Sequence, residues 1–409
     1  MNKIVILGGG YAGMIGAMRL NGRLKGRDDV EITLVNGADV FVERIRLHQR
    51  ASGQLLKRHS LPEMLRGTQV KFMQAWIEAI HAEDRTVEIM CEGKTEQLPY
   101  DMLIYALGSH LDRDSVQGVR EYAYTLDATS AEELYGALPA IAARHGELVV
   151  VGGGLTGIEA ATEFAERYPT LQVRIVTAGK VGAGLSEKGR AYLLKTFKRL
   201  GIVLQENSPI SKIDAGQVAL NDGRAVPFSA CLWAGSFSVP QIAQQAGLQV
   251  NAKGRIMIDP YLRSVSHPEI YAVGDAAEFV TEPGAPIRMA CATAMPMGAH
   301  GADNISALVR GKPQTPFGFQ YVIQCISLGR GAGLVQLVRG NDHPRERVIT
   351  GVAGKAIKEL ICRITILGIK LEKRFTGSYS WFGQPKPEKS AQTTEARELT
   401  THEQPYRNL

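Results

Sequence analysis

The chain carries one glycine pattern twice, as Gly8-Gly9-Gly10-Tyr11-Ala12-Gly13 and as Gly152-Gly153-Gly154-Leu155-Thr156-Gly157. Each copy follows an apolar stretch that predicts a strand and precedes small residues that predict a helix. In this context the first glycine permits a tight turn, the second lets a pyrophosphate approach the backbone, and the third lets the helix pack on the strand. The pyrophosphate then lies at the N-terminus of the helix. Two such fingerprints predict two bound dinucleotides, a flavin and a nicotinamide, and therefore hydride transfer.

The length and the hydropathy exclude several classes of protein. The 409 residues allow two or three domains around a large core. No apolar run is long enough to cross a bilayer, and the first predicted strand begins at Lys3, which is too early for a signal peptide. We therefore expect a cytoplasmic protein, with contact to the inner face of the cell membrane left open.

The five cysteines predict neither a metal site nor a local redox disulfide. They stand at positions 91, 231, 291, 325 and 362, and they lack the short spacing of either kind of site. We expect reduced and mostly buried thiols, as is usual in a cytosolic protein, and no bound metal.

The positive charge is concentrated near the C-terminus. Residues 330–374 contain ten Lys or Arg and four Asp or Glu, which accounts for the net charge of +6. Apolar residues recur there at helical spacing and predict an amphipathic helix over Lys355–Arg374: Ile357, Leu360, Ile361, Ile364, Leu367 and Leu371. Five cations lie between them: Lys355, Lys358, Arg363, Lys370 and Lys373. Two roles stay open, either binding to an anionic membrane surface or packing on the body of the protein or on the second subunit of a homodimer.

Four motifs in a fixed order carry a family resemblance. Between the two fingerprints an apolar strand ends in Ala106-Leu107-Gly108, and after the second comes Ala272-Val273-Gly274-Asp275. In this order the chain resembles the two-dinucleotide-binding-domain flavoprotein oxidoreductases. It looks most like the type II NADH dehydrogenases and their apoptosis-inducing-factor-like relatives. The resemblance covers about Lys3–Val309, and the residues after it match only loosely, as a C-terminal dimer or membrane domain.

The resemblance implies an α/β fold with two Rossmann-like domains, in which the FAD domain is split around an inserted NAD(P) domain and an α+β region follows. The expected boundaries are 1–115 and 251–315 for the two parts of the FAD domain, 116–250 for the NAD(P) domain, and 316–383 for an interface or membrane-surface domain. A helix is expected from about Pro296 to Val309. The tail over 384–409 is polar and is predicted to be disordered.

The resemblance places FAD on the first fingerprint. The expected pyrophosphate contacts are Gly8, Gly10, Tyr11, Ala12 and Gly13. Asn36 falls at the ribose position, where such folds usually carry an acid. The other expected FAD contacts are Arg44, Gly108, Gly274 and Asp275. For Asp275 the alternative is the N-cap of a helix.

The same resemblance places NAD(P)H on the second fingerprint. The expected contacts are Gly152, Gly154, Gly157, Thr177 and Gly235. Thr177 ends the strand where NADH-binding folds carry an acid, and Lys180, a cation of the kind that suits the 2′-phosphate of NADPH, follows it. Both cofactors therefore stay open.

Two residues are candidates for catalysis. Glu159 fills the glutamate position of the family pattern GxGxxGxE, near the nicotinamide and the flavin; the alternative is an acid in the first turn of the helix that interacts with the helix dipole. The segment Leu47–Gly53 matches the family run LYxVATG, with His48 in place of the tyrosine. His48 either moves a proton to or from a substrate or makes a hydrogen bond in the core.

The electron acceptor stays open. Type II dehydrogenases carry AQxAxQQG before their last FAD helix, and the corresponding residues Cys291–Gly298 contain no glutamine. Cys291 is either a redox thiol or a buried thiol. We expect an FAD-dependent NAD(P)H dehydrogenase that reduces a quinone or another small organic acceptor and binds no nucleic acid. The alternatives are a flavin-holding, NAD(H)-binding regulatory protein with little turnover and a redox enzyme of specialised metabolism.

Overall fold

The computed structural model describes residues 1–279 and 287–384, in which two parallel five-stranded sheets each lie in a hydrophobic core of their own. In spatial order, the strands of the first sheet are Ile270–Ala272, Met102–Tyr105, Asn2–Leu7, Val30–Asn36 and Val70–Gln74. Those of the second sheet are Tyr124–Thr125, Ala230–Trp233, Glu147–Val151, Gln172–Val176 and Val203–Gln205.

Smaller sheets and helices surround these two sheets. Three antiparallel sheets have three strands each: Trp76–His81, Thr86–Cys91 and Lys94–Pro99; Ile210–Asp214, Gln217–Leu220 and Ala225–Pro227; and Ile323–Leu328, Ala332–Val338 and Pro344–Thr350. Strand pairs join His110–Leu111 with Phe237–Ser238, Ile256–Ile258 with Ala277–Phe279, and Val40–Phe41 with His59–Ser60. The described α-helices are α1 (Tyr11–Arg23), α2 (Leu47–Ala51), α3 (Leu61–Leu65), α4 (Val119–Tyr122), α5 (Ala128–Ala143), α6 (Leu155–Arg167), α7 (Glu187–Leu200), α8 (Ile242–Gln245), α9 (Cys291–Val309) and α10 (Gly351–Arg374).

Both fingerprints form the strand–turn–helix unit that the sequence predicts. The first glycine of each turn has a left-handed backbone, with φ of +102° at Gly8 and +123° at Gly152. A Cβ at Gly13 would overlap the carbonyl oxygen of Gly8, and one at Gly157 would overlap that of Gly152. The third glycine is therefore needed for the close packing of helix on turn in both copies.

The topology puts both fingerprints at equivalent places. In each five-stranded sheet the fingerprint follows the third strand in spatial order. That strand pairs on one side with a strand from much later in the chain and on the other side with the next strand of the sheet. The carboxyl ends of the strands open a crevice where the strand order reverses, and ligands of such sheets bind there. The predicted α/β fold class with two Rossmann-like sheets and a C-terminal α+β region is confirmed, and the domain boundaries stay a prediction.

Helix α10 packs on the C-terminal antiparallel sheet and on α1. Arg19 of α1 is fully buried and pairs with Glu372 of α10 at 2.6 Å and with Asp303 of α9 at 2.7 Å. The opposite face of α10 exposes a row of apolar side chains that we call the α10 stripe: Leu360, Ile364, Leu367 and Leu371. The predicted helix over Lys355–Arg374 is confirmed, although it begins earlier, at Gly351.

The start of the last FAD-domain helix differs from the prediction, and the predicted disordered tail cannot be compared with the structure. The last helix of the first nucleotide-binding unit begins at Cys291 rather than at Pro296, so Pro296 lies inside the helix, at a position where it donates no backbone hydrogen bond. The predicted disordered tail lies outside the described residues beyond Gln384. Among the residues that the structure describes, none of the helices is both long and apolar enough to span a bilayer.

Candidate functional site

The first fingerprint forms an open cradle at the end of strand Asn2–Leu7. A Cβ on Gly10 would meet no atom within 4 Å, so the backbone there is free to approach a ligand. Asn36 accepts a hydrogen bond from the amide of Gly9 at 2.8 Å and donates one to the carbonyl of Ala38 at 2.7 Å. Its side chain therefore holds the rim of the cradle.

Tyr11 and Ala12 face inward from the start of α1. The Tyr11 ring lies edge-on to Phe41 at 5.0 Å, and its hydroxyl is buried without a hydrogen-bond partner among the described residues. Burial is the main cause that raises the pKa of this hydroxyl well above its usual value. Gly298 of α9 lies against the backbone of Ala12, where a Cβ would overlap the carbonyl oxygen. These two helices therefore approach each other closely beside the cradle.

Three predicted FAD contacts meet beside this cradle, together with a serine that sequence reasoning missed. The hydroxyl of Ser109 donates to Asp275 at 2.6 Å, and Arg44 donates to Ser109 at 3.3 Å. Arg44 also lies 3.7 Å from Asp275, and Gly108 has a left-handed φ of +67° next to it. Asp275 sits inside the short turn Gly274–Ala276, which leads into a strand, so the helix N-cap alternative is wrong.

The second fingerprint opens into a cavity of about 610 Å³. Four predicted contacts line it, namely Gly152, Gly154, Thr177 and Gly235. Lys180 also lines it, and Gln324 reaches it from the C-terminal antiparallel sheet, a contribution that the motifs did not signal. Gly157 lies behind the turn and serves the packing of α6. A Cβ on Gly154 would meet no atom within 4 Å, as at Gly10 in the first cradle.

The two catalytic candidates lie side by side in a buried cluster with a lysine. One carboxylate oxygen of Glu159 pairs with Lys358 Nζ at 2.8 Å and accepts the amide hydrogen of Ser327 at 2.9 Å. The other lies 3.8 Å from His48 Nδ1. His48 is 3% exposed, and within the described residues its Nε2 has no hydrogen-bond partner. The cluster joins α2, α6 and α10.

This geometry decides against two alternatives from the sequence. Glu159 is the fifth residue of α6 and lies beyond its first turn, so it is not a dipole acid at the helix start. His48 makes no core hydrogen bond through Nε2 in the described part of the chain, and its Nδ1 is too far from Glu159 for one. Lys358, one of the five cations between the apolar residues of α10, points into this cluster, and its side chain is only 14% exposed.

Burial and charge set the protonation states of the cluster. Burial lowers the pKa of His48; Glu159 offsets part of this and Lys358 adds to it. Burial alone would lower the pKa of Lys358, but the Glu159 carboxylate outweighs it and raises the pKa. Burial would raise the pKa of Glu159, but Lys358 and His48 lower it. At neutral pH the cluster therefore consists of an ion pair beside an uncharged imidazole.

Burial makes Cys291 and Cys325 unsuited to thiolate chemistry. All five are free thiols in the described part of the chain. Burial raises the pKa of Cys291 and of Cys325 to about 11. Reactive cysteines need the opposite shift, because the thiolate is the nucleophile. The geometry therefore favours the buried-thiol interpretation of Cys291.

Comparison with known proteins gives matches over most of the chain. The family model described as pyridine nucleotide-disulphide oxidoreductase matches residues 2–301. Demethylphylloquinone reductase of Synechocystis is 28% identical over 342 residues, which cover 80% of this chain and 84% of that protein. Type II NADH:quinone oxidoreductase of Staphylococcus haemolyticus is 25% identical over 389 residues, which cover 88% and 94%.

Solved structures share the fold over nearly the whole chain. Sulfide:quinone oxidoreductase of Aquifex aeolicus superposes with a TM-score of 0.79 at 18% identity and covers 95% of this chain and 100% of that one. NDH2 of Plasmodium falciparum in complex with NADH gives a TM-score of 0.77 at 15% identity and covers 94% and 99%. At these identities the likeness concerns the fold alone.

Proposed function

Because the chain belongs to the pyridine nucleotide-disulphide oxidoreductase family, we propose that it is an FAD-dependent NAD(P)H oxidoreductase that reduces a quinone. The family indicated by the four motifs and the prediction of an oxidoreductase enzyme are confirmed. The FAD, the preferred nicotinamide and the acceptor belong to the proposal.

The first cradle suits FAD in shape and in charge. Its backbone is open at Gly10, and the N-terminus of α1, which has no side-chain cap among the described residues, offers its first amides to a pyrophosphate. Arg44, Ser109 and Asp275 offer charged and hydroxyl groups at its side. FAD, when bound, would take the hydride from NAD(P)H and pass two electrons to the quinone. The protein's own residues would bind and orient the cofactors and the quinone, and they would transfer the proton.

The buried cluster is the observation that carries the proposal. Reduction of a quinone by NAD(P)H consumes one proton from solvent besides the hydride. His48 stands at a position that the family resemblance puts beside the isoalloxazine. It is uncharged, and its Nε2 has no hydrogen-bond partner in the part of the chain that the structure describes. We assign His48 as the group that hands this proton to the acceptor. The Glu159–Lys358 ion pair would stabilise the imidazolium whenever His48 is protonated.

The acceptor is proposed from relatives rather than from a motif. The two sequence relatives above reduce quinones according to their names. This chain lacks the glutamines that line the quinone site of type II dehydrogenases, so it would hold the quinone through other groups. A short-chain quinone is therefore the first acceptor to test, before other small oxidised molecules.

The second cradle suits both nicotinamide dinucleotides. Thr177 replaces the acid that would favour NADH, and it is nearly buried behind Gly153. Lys180 lines the same cavity and is exposed, so it could approach the 2′-phosphate of NADPH. We propose weak discrimination between NADH and NADPH.

The α10 stripe suits a bilayer surface. Its four apolar side chains are between 40% and 55% exposed, and cations flank them along α10. A helix with apolar residues on one side and lysines beside them lies in the interface of an anionic membrane. We propose peripheral contact with such a membrane, where a quinone would be dissolved; a homodimer through the same stripe is the competing outcome.

A glycine substitution in the second cradle tests the assignment of the two sites. Gly154→Val places a side chain in the open space where the pyrophosphate would lie. We expect flavin absorbance to stay at the level of the unaltered protein and flavin reduction by NAD(P)H to slow about 100-fold. Gly136→Val on α5, also in open space, is the matched control and should leave reduction unchanged. Reduction of the Gly154→Val variant at the unaltered rate would contradict the assignment.

A further inference from the structure

Gln324 brings a side-chain amide to the cavity of the second fingerprint from outside the second nucleotide-binding unit. It lies on strand Ile323–Leu328 of the C-terminal antiparallel sheet and is half-buried. Its two neighbours on the strand are not among the described residues that line the cavity, which indicates that its side chain reaches the cavity. Among the described lining residues it is the only one with a side-chain amide.

The strand register fixes the direction of this side chain. Gln324 lies opposite Gln336 in the antiparallel pair, and residues directly opposite each other project on the same face. On that face Ile326 and Leu328 are fully buried in the hydrophobic core of the second five-stranded sheet. Because side chains alternate along a strand, Gln324 faces the second nucleotide-binding unit as these two residues do.

The two opposed glutamines differ in how their amides are used. Gln336 is fully buried, its Oε1 accepts the amide hydrogen of Ser186 at 3.0 Å, and its Nε2 donates to the carbonyl of Leu337 at 2.9 Å. For the side chain of Gln324, the described part of the chain supplies no hydrogen-bond partner, and the cavity lies in front of it. A polar group of this kind on the wall of a cavity is suited to fix the orientation of a ligand.

The position of Gln324 assigns it to the nicotinamide half of the dinucleotide. With the pyrophosphate at Gly152–Gly154, the adenosine ribose lies toward Thr177, at the end of the next strand. Gln324 lies only three residues before Ser327, whose amide donates to the Glu159 carboxylate at 2.9 Å. Three residues of a strand span about 10 Å. Gln324 therefore stands between the cavity and the buried cluster, where the proposed function requires the reacting end of the dinucleotide.

We propose that Gln324 holds the carboxamide of the nicotinamide ring through a pair of amide hydrogen bonds. The proposal rests on the function proposed above. A carboxamide and a glutamine side chain each carry one carbonyl acceptor and one NH₂ donor. Oε1 of Gln324 accepts from the carboxamide nitrogen, and Nε2 donates to the carboxamide oxygen. The contact is the same for NADH and NADPH, because these differ only at the adenosine ribose.

The test measures the binding of oxidised ligands to the full-length, FAD-loaded protein by isothermal titration calorimetry. NAD⁺ cannot reduce the oxidised flavin, so turnover does not interfere. ADP-ribose has the pyrophosphate and both riboses but lacks the nicotinamide ring. Gln324→Met keeps the length of the side chain and removes the amide. We expect about tenfold weaker binding of NAD⁺ and of NADP⁺, and unchanged binding of ADP-ribose, which also shows that the variant is folded.

An analogue of NAD⁺ with an acetyl group in place of the carboxamide tests the hydrogen bonds themselves. The acetyl group keeps the oxygen but has no NH₂ to donate to Gln324. It should bind the unaltered protein more weakly than NAD⁺ does, and Gln324→Met should weaken its binding less than that of NAD⁺. Gln320→Met is the matched control, because Gln320 is exposed and is not among the described lining residues. It should bind every ligand as the unaltered protein does.

The outcomes that overturn this assignment differ from those that overturn the function. Equal weakening of NAD⁺ and ADP-ribose by Gln324→Met would put the side chain against the half that the two ligands share. Unchanged binding of NAD⁺, or an equal loss in Gln320→Met, would mean that Gln324 does not hold the ligand. If the unaltered protein binds neither NAD⁺ nor ADP-ribose, the proposed function falls, and the role of Gln324 with it.

Discussion

Replacing a leucine of the α10 stripe by aspartate should weaken membrane binding without unfolding the protein. Leu367 is 50% exposed. Full burial of a leucine side chain is worth about 1.5–3 kcal/mol, so the exposed half of Leu367 contributes about 1 kcal/mol when it enters a membrane. The new carboxylate costs about 1 kcal/mol more beside anionic lipid. The sum of about 2 kcal/mol corresponds to about 30-fold weaker binding.

The assay is co-sedimentation with vesicles rich in an anionic lipid, at low and at high salt. The unaltered protein should bind at low salt and should be released at high salt, because salt screens the lysines of α10. Leu308→Asp on α9 is the matched control, since Leu308 is 53% exposed and lies off the stripe. Each variant loses the buried half of a leucine side chain, so both should lower the unfolding free energy by a similar amount, about 1 kcal/mol, and stay folded.

Equal vesicle binding by Leu367→Asp and the unaltered protein would refute this reasoning. The alternative result is that the unaltered protein does not bind vesicles and that Leu367→Asp converts a dimer to a monomer in sedimentation equilibrium. The α10 stripe would then be an interface between two copies of the chain.

Three further perturbations test the packing, the cofactor site and the buried histidines. Glu372→Ala leaves the buried Arg19 with Asp303 as its ion-pair partner and the carbonyl of Tyr379 as a neutral acceptor, and it should cost about 3–5 kcal/mol in urea unfolding; a loss below about 1 kcal/mol would mean that water compensates for the missing carboxylate. Lys180→Ala should raise the KM for NADPH about tenfold and leave that for NADH unchanged, and an equal effect on both would place Lys180 away from the 2′-phosphate. Burial lowers the pKa of His48 and of His300, so the unfolded state binds more protons below about pH 6.5 and stability should fall as the pH drops through that region. His48→Gln should flatten the urea midpoint between about pH 5 and pH 6.5, and an unchanged slope would contradict the burial of this imidazole.

The parts of the fold that the sequence predicted are those that depend on local geometry. A turn such as Gly8 to Gly13 needs glycine at fixed spacing because a Cβ would strike the backbone, and the spacing is therefore visible in the chain. The helix around Lys358 could be predicted because its formation is also local: apolar residues recur at the 3.6-residue period of an α-helix.

The orientation of α10 could not be predicted in the same way. Lys358 and Glu372 turn inward because Glu159 and Arg19, which are far away in the chain, supply opposite charges inside the protein. The leucines turn outward as a consequence. The sequence around a lysine such as Lys358 does not show whether its side chain is exposed or buried. Its partner Glu159 lies nearly half the chain away and therefore leaves no local pattern.

The same limit explains which parts of the candidate site were missed. Glu159 and His48 stood out because they occupy motif positions, but Ser109 and Ser327 carry no pattern of their own. Ser327 contacts Glu159 only through its backbone amide. A contact of that kind depends on where a strand lies in space and is independent of which residue type occupies the position.

An anaerobic titration of the purified protein tests the central claim most directly. NAD(P)H is added first and a short-chain quinone second, while the flavin absorbance is followed. The account predicts one FAD per chain, full bleaching by about one equivalent of NAD(P)H, and recovery of the absorbance when the quinone is added. A protein that holds no flavin after reconstitution, or a bound flavin that NAD(P)H does not bleach, would contradict it.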